Sequence, residues 1–298
     1  MDERAEPWVA VAVGLTEGGA NELALVLIAR GIAHRRQAGV AGLELWVPAA
    51  FAPVAAAELT QYRRENLRRV GERPLRSIGA GWPGVATYVA VLLVVFVATR
   101  ESLFGLDWLG AGRLEAGAVS AGQWWRTVTA LTLHIEFEHL GGNVAFGAFF
   151  GWFVGRYLGV GVGWLTVLAA GAGANALGAW LQGPEHRSLG ASTAVFAALA
   201  LLAAYTWRRG FWRDTPWRAR IAPIVAGLGL LAFTGTAGEN TDLGAHLFGF
   251  CAGLGAGFVL AQWLAPARLA DRRVQRACAA AALVVVAAAW AWGLVAAG

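Results

Sequence analysis

Residues 191–207 read ASTAVFAALALLAAYTW, a run without a single charge that carries Ser192 as its second residue. At about 1.5 Å of rise per residue, a helix of this stretch approaches the roughly 30 Å hydrocarbon core of a bilayer. A second apolar run, residues 243–264 (LGAHLFGFCAGLGAGFVLAQWL), carries His246 near its start. A hydroxyl and an imidazole in such surroundings each need a polar partner, and a nucleophile and a base can supply one another.

The rest of the composition agrees with a membrane setting. The chain is 57% hydrophobic and only 14% charged, which points to spans rather than a soluble core. A pI near 10.0 raises the question of nucleic acid. However, every basic side chain other than histidine is arginine, and the arginines cluster between apolar runs, as in the positive-inside pattern. Nucleic-acid binding is therefore set aside. The first residues are acidic and no short apolar run follows them, so no cleavable signal peptide is expected. Cys251 and Cys278 fall in different runs and are expected to be small buried hydrophobes.

Residues 1–70 read as a small soluble α+β domain. Residues 8–14 and 43–47 have strand character, and residues 33–37 form a possible third strand. Residues 21–30 and 53–69 read as helices. A basic linker, 71–81, leads to seven candidate spans near 82–99, 139–158, 160–180, 191–207, 219–236, 243–264 and 277–297. Residues 82–264 make up the core; 265–298 add a basic loop and a further span. Arg63, Arg64, Arg68, Arg69, Arg73 and Arg76 precede the first span. Arg156 lies by the turn after the second, Arg208, Arg209, Arg213, Arg218 and Arg220 follow the fourth, and Arg268, Arg272, Arg273 and Arg276 follow the sixth. All four groups fall on one side if the N-terminus is cytoplasmic, which puts Glu185, Glu239, Asp242 and the C-terminus outside. Residues 100–138 are too long for a turn, and Phe104, Trp108, Trp124 and Trp125 fit a loop lying in the membrane interface.

On that topology Ser192, His246 and the pair His139/Asn143 share one depth at the outer helix ends. His139 and Asn143 are spaced to share one helical face. Gly249, Gly253 and Gly257 recur after His246 at helical spacing and allow the two spans to approach closely. Phe196, one turn below Ser192, is placed to pack against the imidazole. His246 would act as base and then as acid, with Ser192 as nucleophile. The intermediate would place its oxyanion among His139, the Asn143 amide and the Ser192 N–H. With no carboxylate in the helix interior near His246, a two-residue dyad is expected. Asn175 reads as a bridge between helices. No metal site is expected: residues 134–139 (HIEFEH) do not match H-E-x-x-H, and their histidines are off a shared face. Paired intramembrane aspartates are absent from the runs as well.

Taken together, Trp125-Arg126, His134, His139-Leu140-Gly141-Gly142-Asn143, Gly190-Ala191-Ser192 and Ala245-His246 with its glycine ladder resemble the rhomboid family of intramembrane serine proteases, over roughly residues 80–265. The resemblance implies an all-α polytopic membrane protein with a rhomboid-like six-helix core plus a seventh C-terminal transmembrane helix. The small α+β N-terminal domain would be cytoplasmic. It implies Ser192 as nucleophile, His246 as base and His139 and Asn143 in the oxyanion hole. Trp125 and Arg126 would belong to a structural first loop, with His134 at its junction and Gly190, Gly249, Gly253 and Phe196 in support. No cofactor is implied. The expected partners are the lipid bilayer and single-span transmembrane substrates, in a bacterial-type inner membrane; no oligomeric state follows. Thr193 departs from the glycine usual after the serine, and its bulk bears on the substrate cleft. The alternatives are a non-catalytic rhomboid-like protein that binds membrane-protein clients and, behind it, a transporter using His246 and Asn143.

Overall fold

A computed structural model of the chain describes residues 6–66, 77–209, 225, 229 and 242–297. The chain divides into two compact units, Met1–Glu72 and Arg73–Gly298.

The first unit contains β1 (Trp8–Leu15), α1 (Glu17–Ala29), β2 (Arg35–Gly39), β3 (Gly42–Pro48) and α2 (Ala52–Asn66). The strands form one antiparallel sheet in the order β1-β3-β2. Leu27 of α1, Leu45 and Val47 of β3, and Ala55 and Leu59 of α2 close its apolar core. Helix α1 begins at Glu17 rather than at residue 21, because the Thr16 hydroxyl accepts from the Gly19 N–H at 3.2 Å and caps it. It stops where Gly31 adopts a φ of 69°, a conformation glycine reaches without strain.

The second unit is helical: α3 (Trp82–Arg100), α4 (Trp108–Gly112), α5 (Ala116–Ser120), α6 (Arg126–Thr129), α7 (Phe137–Leu158), α8 (Val160–Leu181), α9 (Ser192–Arg208), α10 (Leu243–Trp263), α11 (Pro266–Leu269) and α12 (Arg272–Ala297). Among the described residues α3, α8, α10 and α12 are long and apolar enough to cross a membrane, which makes the chain an integral membrane protein. Helix α9 has 17 residues, and α7 is diluted by Glu138, His139, Asn143 and Arg156, so neither stands out by length and composition. The span expected at 219–236 lies outside the described residues apart from 225 and 229. Arg68, Arg69, Arg73, Arg76, Arg213, Arg218, Arg220 and Glu239 also lie outside them.

Helix α9 is the axis of this unit. Thr193–Leu201 and Ala203–Tyr205 are buried among α7, α8 and α10. Its seam with α10 is built on missing side chains. A Cβ at Gly249 would lie 2.3 Å from Thr193 O, one at Gly253 2.2 Å from Ala197 O, and one at Gly257 2.5 Å from Leu201 O. The matched steps along both helices mean that α9 and α10 run parallel, backbone against backbone, as small residues permit in membranes. On the other side α12 packs along α8 and reaches α4 and α6.

The connection from α3 to α7 is ordered by side chains that cap its own backbone. Arg126 Nη1 donates to Gly110 O at 2.8 Å and Arg113 O at 2.7 Å, Trp125 Nε1 donates to Ala111 O at 3.2 Å, and Thr129 Oγ1 donates to Gly112 O at 2.7 Å. The Asn175 amide of α8 donates to Thr127 O at 2.9 Å and so bridges to this loop. A short ladder, β4 (Leu114–Glu115) with β5 (Arg187–Ser188), ties it to the connection before α9. One expectation needs correction: Cys251 is exposed and Cys278 half-buried. The outward face of a membrane helix meets hydrocarbon, so apolar thiols there have no reason to turn inward.

Candidate active site

Ser192 is the first residue of α9, and His246 lies one turn into α10. The parallel seam brings them level, with His246 Nε2 2.7 Å from Ser192 Oγ. The Phe196 ring lies 4.7 Å from the imidazole, centroid to centroid, tilted by 33°. It closes one side of His246, which is only 7% exposed. Among the described residues nothing hydrogen-bonds to His246 Nδ1. Among the described residues the pair therefore stands without an orienting carboxylate.

An acid does lie nearby, which sequence reading missed. Asp242 caps α10: its Oδ1 accepts from the Ala245 N–H at 2.9 Å, and its Oδ2 lies 3.1 Å from His186 Nε2. Its carboxylate is thus committed to the helix end and to the loop before α9, while its carbonyl accepts from the His246 N–H. The signal was legible as an aspartate just ahead of an apolar run, the pattern of an N-cap.

The segment leading into Ser192 is held from the loop side. Gly190 N–H donates to Ala130 O at 2.9 Å, and Ala191 N–H donates to His134 Nε2 at 3.3 Å. His134 is almost fully buried, and burial pushes its pKa down to about 4, so at neutral pH it is an uncharged acceptor there. Because Ser192 opens the helix, its own N–H is among the amides that have no partner within the helix and carry the positive end of the dipole.

His139 and Asn143 take different places. His139 is half-buried and packs on Gly190: a Cβ there would lie 2.6 Å from His139 Cε1. Gly190 also has a φ of 121°, so two independent reasons demand glycine. Asn143, buried on the same face, donates through Nδ2 to its own helix at His139 O, 3.0 Å away. Its carbonyl accepts from the Tyr88 hydroxyl of α3 at 2.8 Å. Trp125 and Arg126 lie away from Ser192, in the loop. Thr193 does not face a cleft: it is 2% exposed and packs on Gly249, because the next helical position turns by about 100° toward α10.

The apolar helices that make the chain an integral membrane protein thus bring a buried histidine within hydrogen-bond distance of a half-buried serine. Residues 121–263 match the family model of the rhomboid domain. The chain is 33% identical over 154 residues to the rhomboid protease GluP of Bacillus subtilis, a match covering 50% of this chain but only 28% of GluP. It is 28% identical over 145 residues to YdcA of Bacillus subtilis, also named for the rhomboid proteases, covering 48% of this chain and 71% of that protein. The N-terminal unit, α3 and α12 lie outside the domain match.

Proposed function

We propose that the chain is an intramembrane serine endopeptidase that cleaves transmembrane-helix substrates near the extracytoplasmic face of the membrane. The observation that carries this reading is the 2.7 Å approach of His246 Nε2 to Ser192 Oγ at the half-buried head of two packed apolar helices. In this mechanism His246 takes the Ser192 proton as Oγ attacks the scissile carbonyl, then gives it to the leaving amine. Water, activated by the same imidazole, releases the acyl group. The oxyanion lies against the Ser192 N–H at the positive end of α9, with His139 and the Asn143 amide as further donors. Asn143 reaches this role by exchanging its bond to His139 O for one to the oxyanion.

The parallel course of α9 and α10 supports a six-plus-one arrangement, since consecutive spans otherwise alternate in direction. The arginine distribution supports a cytoplasmic N-terminal domain, an extracytoplasmic C-terminus and a bacterial-type inner membrane. Substrates are single-span proteins whose helices unwind near the outer surface.

The test is cleavage of a model single-span substrate in liposomes. Wild type is expected to cut it, and Ser192→Ala to fall by about 10⁴-fold or more, to background. Equal rates for the two would remove the dyad assignment. Saturable client binding without cleavage would favour the non-catalytic relative instead.

A further inference from the structure

Helix α12 is fastened to the bundle at both ends, and the two fastenings differ in where they lead. At its start the Gln275 side chain is fully used. Oε1 accepts from the Gly161 N–H at 2.8 Å and the Val162 N–H at 3.1 Å, and Nε2 donates to Leu158 O at 3.0 Å and Leu269 O at 2.8 Å. This locks α12 onto the turn between α7 and α8, the opposite end of α7 from His139.

Near the other end Trp290 is buried. Its indole N–H donates to Thr132 Oγ1 at 3.0 Å, and that hydroxyl donates onward to Thr129 O at 2.8 Å. Its ring fills the notch left by Gly112, where a Cβ would lie 2.4 Å from Trp290 Cη2, and it lies against Trp108, tilted by 46° with 5.0 Å between centroids. Leu133 packs against it with Leu189. The tethered stretch, Ala130 to His134, is the one whose Ala130 carbonyl and His134 ring hold the Gly190 and Ala191 amides just before Ser192.

We infer that Trp290, on the helix beyond the rhomboid domain, is a positioning residue for Ser192. It acts through Thr132 on the Ala130–His134 stretch that aligns the head of α9. The inference rests on the proposed protease reading. A rate that depends on nucleophile alignment is sensitive to displacements well below those that unfold a protein. The indole–hydroxyl bond therefore weighs on turnover more than on substrate capture.

The experiment uses the full chain in liposomes with a model single-span substrate, and reads kcat, KM and thermal midpoint. Trp290→Phe keeps an aromatic ring, smaller than the indole, and loses the N–H; Thr132→Val loses the acceptor. Each is expected to lower kcat roughly three- to tenfold with KM unchanged, the double variant no further than the worse single one, while Thr132→Ser stays near wild type. Gln275→Ala is the control: it is expected to lower the midpoint and leave kcat intact. Wild-type kcat in both Trp290→Phe and Thr132→Val, or an equal kcat loss in Gln275→Ala, overturns the inference alone. A folded wild type that does not cleave overturns the protease reading itself.

Discussion

Two parts of the second unit reach fixed geometry by opposite means. The seam between α9 and α10 is fixed by what is missing: glycines bring one backbone against the other, and below the Ser192–His246 pair the helices are joined by a polar side-chain bond only at their far ends among the described residues, from Arg208 Nη2 to Gln262 Oε1. The loop between α3 and α7 is fixed by what is present, with arginine, tryptophan and threonine side chains bonded to carbonyls that no regular ladder satisfies. The seam should therefore fail on added volume and tolerate little else, whereas the loop should fail on the loss of a donor. Ser192 sits where the two meet, its hydroxyl on the seam and its preceding amides on the loop.

The meeting point is the most sensitive place to break the contrast. Gly190→Ala adds a Cβ 2.6 Å from the His139 ring at a φ of 121°, so both His139 and the start of α9 must shift. The expected result is a loss of about 100-fold in kcat with the fold retained. Wild-type turnover would show that His139 and Gly190 are not part of the reacting geometry.

Along the seam, Gly253→Ala places a methyl 2.2 Å from Ala197 O and is expected to cost about 1–3 kcal/mol of stability. Gly255→Ala, on the same helix with nothing within 4 Å, should be neutral or slightly stabilising. Equal thermal midpoints for the two would mean that the backbones are not in contact. In the loop, Arg126→Ala strands the Gly110 and Arg113 carbonyls and is expected to cost about 1–2 kcal/mol. Recovery by Arg126→Lys should be only partial, because one ammonium lacks the planar fork.

The smallest expected effect is on pH dependence. His134 has a folded-state pKa near 4, below its ordinary value of 6.5, so the unfolded chain binds more protons between these limits. Its contribution is complete above about pH 6.5 and is lost as pH falls toward 4. The midpoint of His134→Gln should fall less over that window than that of the wild type; parallel curves would show that His134 takes no part in the acid side.

Much of this was legible because hydrocarbon simplifies sequence. The runs around Ser192 and His246 admit few polar residues, so those that occur are conspicuous, and the glycine spacing after His246 announces the parallel seam. Local capping was harder to read: Thr16 extends α1 beyond its apolar periodicity, and Asp242 caps α10 from just outside the run. Contacts such as Gln275 with the α7–α8 turn, Tyr88 with Asn143 O and Trp290 with Thr132 join positions far apart in the chain, and no local pattern encodes them. Thr193 shows a different gap. Its side chain was expected at the cleft, but one step of helical rotation turns it into the seam, a distinction that depends on where the partner helix lies.

The central claim is that the Ser192 hydroxyl is activated by His246. Its most direct test is covalent labelling of the purified, folded protein with a fluorophosphonate, read by mass spectrometry of the intact chain and its peptides. The account predicts a single adduct on Ser192, formed with the wild type and reduced to background in His246→Ala. Labelling that is absent from Ser192, or that proceeds at the same rate without the imidazole, would contradict it.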